Sequence, residues 1–136
     1  MESNAVMIGL IQTVMSEDPD ANLAAMVGKV RTAASAGARI ICLPELYRTR
    51  YFPRDIGRDV TACAEPVPGP SSEAFSRIAA DSGVVIIVPV FERTTGGILQ
   101  NTVLVIDADG TILPSYTKVH IPQDPGFFEK GYFAPG

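Results

Sequence analysis

Histidine occurs once in these 136 residues, at position 120, and cysteine twice, at 42 and 63. With a single histidine, any Ser-His-Asp triad would have to use His120, and no serine sits in the strained strand-to-helix turn of a nucleophile elbow. The two cysteines stand in unrelated contexts without paired spacing, which argues against a disulfide framework or a zinc knuckle and leaves reduced thiols. Charge is also sparse. Eleven Lys+Arg face fifteen Asp+Glu for a net charge of −4, and the basic residues are scattered singly, so nucleic acid is not expected as a partner. The longest apolar runs, such as Val84-Val85-Ile86-Ile87-Val88, fall far short of a membrane span, and Met1-Glu2-Ser3-Asn4 lacks the basic start of a secretory signal. No membrane association is expected, and the cytoplasm is the expected compartment. A phosphate-binding glycine loop and a zinc-protease helix are missing as well.

What is present is the composition of a folded domain, 46% hydrophobic and 19% charged, and its length allows one domain at most. The apolar run Val6 to Ile11 predicts a strand covered on both faces. Asp18 is a plausible N-cap and Pro19 a first helical residue. Leu23, Val27, Val30 and Ala34 then recur at helical spacing until Gly37. Arg39 to Leu43 follows as a second strand, and this order implies parallel pairing through a right-handed crossover. Prolines at 44, 53, 66, 68 and 70 break the periodicity, which marks a long loop of the kind that is usually functional. Ser71 or Ser72 can cap a second helix carrying Phe75, Ile78 and Ala79, ended by Gly83 before a strand at Val84 to Phe91. Strands at about Leu99 to Ile106 and Thr111 to Lys118, joined at Asp109-Gly110, make the second half partly antiparallel. The tail from His120 carries Phe127, Phe128, Tyr132 and Phe133, which require something to pack on.

Three polar features stand out from this apolar background. In Leu43-Pro44-Glu45-Leu46 a carboxylate follows directly on a buried strand, and it either turns into solvent or faces a ligand at the strand's carboxyl end. In Tyr116-Thr117-Lys118-Val119-His120-Ile121-Pro122 a lysine and a histidine two residues apart fall nominally on one face, although a lysine there is commonly a surface charge. Glu129-Lys130 lies between aromatic pairs.

Together these segments, with Phe128-Glu129-Lys130-Gly131-Tyr132-Phe133, resemble the N-terminal half of the nitrilase superfamily of carbon-nitrogen hydrolases. Ala21-Asn22-Leu23, the Ala-Gly-Ala turn at 36–38, Pro68-Gly69-Pro70 and Asn101-Thr102 entering a strand support the likeness. His120-Ile121-Pro122, Asp124-Pro125-Gly126 and Glu129 to Phe133 look most like the N-carbamoylputrescine amidase branch. The resemblance implies an α/β fold, half of an αββα sandwich with a mixed sheet and helices on one face, residues 1–136 being the N-terminal portion of a single domain. It implies Glu45 as general base, Lys118 as the cation that stabilises a tetrahedral intermediate, and Glu129 as a second carboxylate that positions substrate and lysine. Tyr51 and His120 are candidate substrate contacts. The implied substrate is a small carbamoyl or amide compound such as N-carbamoylputrescine, yielding putrescine, CO2 and ammonia, with neither cofactor nor metal.

The nucleophile implied is a cysteine beyond Gly136. Cys42 and Glu45 differ by an odd number of strand positions, which places them on opposite faces unless Pro44 kinks the chain, so Cys42 reads as a small buried hydrophobe. Cys63 lies in an acidic, proline-rich loop with nothing cationic to favour a thiolate. With only half the fold, one apolar sheet face is expected to lack its cover and to seek the missing C-terminal half or a second copy. A non-catalytic, truncated assembly module is the alternative reading.

Overall fold

The computed structural model describes residues 5–136; Met1 to Asn4, on which the reading of the leader rests, lie outside the described residues. The elements are β1 (Ile8–Leu10), α1 (Pro19–Ser35), β2 (Ile40–Cys42), α2 (Pro70–Ser82), β3 (Val85–Arg93), β4 (Leu99–Ile106) and β5 (Tyr116–Thr117). They form one five-stranded sheet in the order β1-β2-β3-β4-β5. The first three strands are parallel, with Leu10 beside Cys42 and Cys42 beside Ile87. The last two are antiparallel to their neighbours, with Phe91 facing Asn101 and Val103 facing Tyr116.

Alternation along the strands explains why both helices lie on one side. Ile41, Ile86, Val88, Leu104 and Ile106 point to the helix face and share one core with Met26 and Val30 of α1 and Phe75, Ile78 and Ala79 of α2. The residues between them, Ile40, Cys42, Val85, Ile87, Val103 and Val105, face the other way and are only half-buried. At one end of that second face the 46–64 loop and the tail close over the sheet, where Leu46, Phe52, Val60, Phe91 and Phe133 make a second cluster. Phe133 packs edge-on to Phe91 and Tyr132 edge-on to Phe52, so the tail aromatics do find a partner.

Asp18 caps α1 as its spacing predicts, accepting from the N–H groups of Asp20 and Ala21. The buried stripe, however, runs through Asn22, Met26 and Val30; Leu23, Val27 and Ala34 flank it. Asn22 is buried because its side chain ties Ser16 and the Arg48 carbonyl to the helix.

Three further expectations are corrected. The first strand is shorter than predicted and lies at the sheet edge, so Ile8 and Leu10 are exposed and not covered on both faces. Helix α2 begins two or three residues earlier than Ser71 or Ser72 would set it. Gly69 is its cap, Pro70 its first residue, and the Ser72 hydroxyl accepts from the Gly69 N–H. The strand expected over 111–118 reduces to a bridge at Ile112 and the pair Tyr116–Thr117, because Pro114 has no N–H to give a ladder.

The proline-rich segment 44–70 is ordered by polar ties. The buried Glu65 carboxylate accepts from the Ser71 N–H at 2.8 Å and from its hydroxyl, with Arg48 alongside, and the Tyr47 hydroxyl bonds Ser71. Burial pushes the Tyr47 phenol well above its ordinary range, keeping it a neutral partner. This network holds the chain immediately after Glu45 against α2.

Candidate active site

Glu45 stands where the chain leaves β2 and turns. Leu46 takes a left-handed conformation, φ 52°, at a cost of roughly 1–2 kcal/mol. Burial of its side chain in the second cluster offsets that cost. The turn carries the Glu45 carboxylate over the open sheet face, where its Oε1 accepts from Asn101 Nδ2 at 2.7 Å and from Lys118 Nζ at 3.1 Å. Its Oε2 receives no bond from any described residue. Nearly half of the Glu45 side chain is exposed.

Lys118 follows β5, its N–H bound to the Asn101 carbonyl at 2.9 Å. Its ammonium reaches Glu129 Oε2 at 2.8 Å and Oε1 at 3.1 Å, so the cation lies between two carboxylates. Burial acts to lower the Lys118 ammonium, but the bonds to Glu129 and Glu45 outweigh it and hold it above its ordinary 10.5. Glu129 opens the 3-10 turn Glu129–Gly131, and its side chain is 2% exposed. Its charge is met by Lys118 and by the Tyr51 hydroxyl, which donates to Oε1 at 2.7 Å. Burial, and then that bond, raise the Tyr51 phenol well above its ordinary value.

A hollow of about 210 Å³ opens beside this cluster, lined by Glu45, Pro89, Asn101, Val103, Tyr116 and Lys118. It offers a carboxylate oxygen that can take a proton, an ammonium held between two carboxylates, and partly apolar walls: parts suited to acyl-transfer chemistry on a small carbonyl compound. The described residues contain no group of three or more His, Cys, Asp or Glu placed to hold a metal.

Of the residues singled out by sequence, Glu45, Lys118 and Glu129 come together, and Tyr51 joins them as the donor to Glu129. His120 does not. Strand β5 ends at Thr117, so the two-residue alternation fails, and His120 is exposed beside a separate apolar cavity with Val119, Ile121 and Phe133. Cys42 and Glu45 do not lie on opposite faces, the exception that a break in the strand at Pro44 allows. β2 ends at Cys42, and the turn after it brings Glu45 onto the same face as Cys42. Cys42 is half-buried on that open face and not fully buried, and its thiol donates to the Leu43 carbonyl at 3.6 Å, not to the cluster. By sequence Asn101 reads only as a strand-entry residue; its bond to Glu45 spans 56 positions, a contact no local pattern announces.

A family model described as carbon-nitrogen hydrolase matches residues 7–136. The chain belongs to this family. It is 38% identical to N-carbamoylputrescine amidase of Solanum lycopersicum, over 99% of this chain and 45% of that protein. It is 33% identical to a citrullinase of Francisella tularensis, over 96% of this chain and 46% of that one. The fold superposes with TM-score 0.88 on a crystal structure of a carbon-nitrogen hydrolase from Helicobacter pylori G27, at 28% identity, covering 96% of this chain and 45% of that one. The chain thus spans about half the length of the curated relatives it matches. The mixed sheet with helices on one face is half of a nitrilase-like sandwich. Among the described residues no helix is long and apolar enough to cross a membrane.

Proposed function

We propose that this carbon-nitrogen hydrolase chain supplies the general base and the oxyanion-stabilising cation for cleavage of a small N-carbamoyl amine or amide, most like N-carbamoylputrescine. The observation that carries the reading is the Lys118 ammonium held at 3.1 Å from Glu45 and 2.8 Å from Glu129 on the open sheet face. Two carboxylates keep the lysine charged and immobile, and a fixed cation in a partly dry site stabilises the oxygen of a tetrahedral intermediate by several kcal/mol, on the order of 3. The likeness to the tomato amidase supports the carbamoyl substrate.

In this mechanism Glu45 removes the proton of a cysteine thiol as sulfur attacks the carbonyl carbon, and negative charge collects on the carbonyl oxygen near Lys118. The carbon-nitrogen bond then breaks, Glu45 returns the proton to nitrogen, and ammonia leaves. Glu45 next takes a proton from water, whose oxygen replaces sulfur, and returns that proton to the departing thiolate; the carbamic acid released from N-carbamoylputrescine would decompose to putrescine and CO2. The thiol comes from neither Cys42 nor Cys63 and lies outside these 136 residues. Tyr51, held against Glu129, is the proposed substrate contact.

Ammonia release from N-carbamoylputrescine tests the reading. The 136-residue chain alone should give none. Joined in frame to the C-terminal remainder of the tomato relative, it should turn substrate over, and Glu45→Ala should abolish the activity. Turnover by the chain alone that disappears in Glu45→Ala would overturn the assignment of the nucleophile, and an inactive joined protein would overturn the carbamoyl reading.

A further inference from the structure

We infer that Asn101 is the positioning residue for the base: it locks Glu45 Oε1 and thereby assigns proton transfer to Oε2. The inference rests on Glu45 being the base. Asn101 is 3% exposed and sits on β4 between Phe91, its partner across the β3/β4 ladder, and the open-face hollow. Its neighbour Thr102 is wholly buried and turned toward the helix face. The backbone there is therefore fixed, and the side chain has only two torsions with which to move.

The amide faces a carboxylate, so its nitrogen, the only donor on the side chain, must be the atom that meets Glu45 Oε1 at 2.7 Å. Lys118 touches the same oxygen at 3.1 Å, yet an ammonium on a flexible four-carbon stem accepts many carboxylate orientations. The planar amide does not. With both bonds on Oε1, the lone pairs of Oε2 stay open toward the hollow and a reacting proton.

The main chain of Asn101 does a second job. Its carbonyl accepts the Lys118 N–H at 2.9 Å, so one residue sets the places of both base and cation. A buried polar side chain at this strand position has no other bond among the described residues that would account for it, and an apolar residue would pack there at lower desolvation cost.

The experiment has two arms. In the 136-residue chain, NMR titration should show the Asn101 side-chain NH2 signals moving in step with the Glu45 carboxyl carbon, and Glu45→Gln should remove that movement. Asn101 signals indifferent to Glu45 ionisation would overturn the inference whether or not any enzyme activity is found. In the joined protein, Asn101→Asp and Asn101→Leu should lower kcat on the order of 100-fold while leaving KM nearly unchanged, as expected for a base held out of line. The Asp variant should regain part of its rate as pH falls, because a protonated carboxyl again donates to Glu45; the Leu variant should not. Equal losses with the same pH profile in both variants would mean that Asn101 only fills space. An inactive unsubstituted joined protein would count against the proposed function and leave the NMR arm to decide the role of Asn101.

Discussion

Glu129 is a carboxylate with almost no access to water, and two groups answer its charge: the Lys118 ammonium and the Tyr51 hydroxyl. Removing the cation leaves a buried anion with one neutral donor. Lys118→Met should therefore destabilise the chain by about 2–3 kcal/mol at neutral pH, below the full cost of breaking a buried pair because the lysine itself is partly exposed. The pH dependence has a definite sign. The folded-state value of Lys118 lies above its ordinary 10.5, so its contribution is fully present below the unfolded value and is lost as pH rises through the higher folded one. Urea midpoints of the two proteins should stay apart from pH 7 to about 10 and converge above that range. Tyrosine ionisation in the unfolded chain lowers both curves there, and so it cancels in the difference. A gap that failed to close in alkali would place the lysine's effect in packing instead of charge.

At the scale of elements, the turn between β4 and the bridge at Ile112 is held by its glycine. Gly110 has φ 88°, and a Cβ there would stand 2.7 Å from the Ser76 carbonyl oxygen on α2. Gly110→Ala should cost more than about 1 kcal/mol, from a left-handed backbone and a steric shift against the helix together. Thermal unfolding checks this, and a melting point equal to that of the unsubstituted chain would show that α2 can yield. The Asp109-Gly110 pair announces this turn in sequence because its chemistry is local. The extent of the strand after it is not announced: Pro114 interrupts pairing, and which pairs survive depends on how β4 presents its edge. Likewise Asp18 and Pro19 mark the start of α1 by themselves, whereas the buried stripe of α1 shifts to Asn22, Met26 and Val30 because partners on the 44–70 segment claim Asn22.

For the molecule as a whole, the face opposite the helices decides behaviour in solution. Ile8 and Leu10 are exposed there, Leu10 at 79%, with Tyr116 exposed at the other end and half-buried Ile40, Cys42, Val85 and Ile87 between. The chain alone should self-associate, and Leu10→Asp should weaken association; sedimentation velocity over a wide concentration range checks both. A concentration-independent monomer would mean that the face tolerates water. The sequence by itself determined the strand-helix-strand order, the ends of α1 and the switch to antiparallel pairing, because periodicity, caps and turn pairs act over a few residues. It also placed Glu45, Lys118 and Glu129 at chemically telling positions through their family-like segments. Only the tertiary structure decided that these three converge, that Tyr51 and Asn101 hold two of them, and that His120 stands apart. Those contacts join residues 11 to 78 positions apart, and their geometry depends on how a turn, a short strand and a tail pack over one end of the sheet.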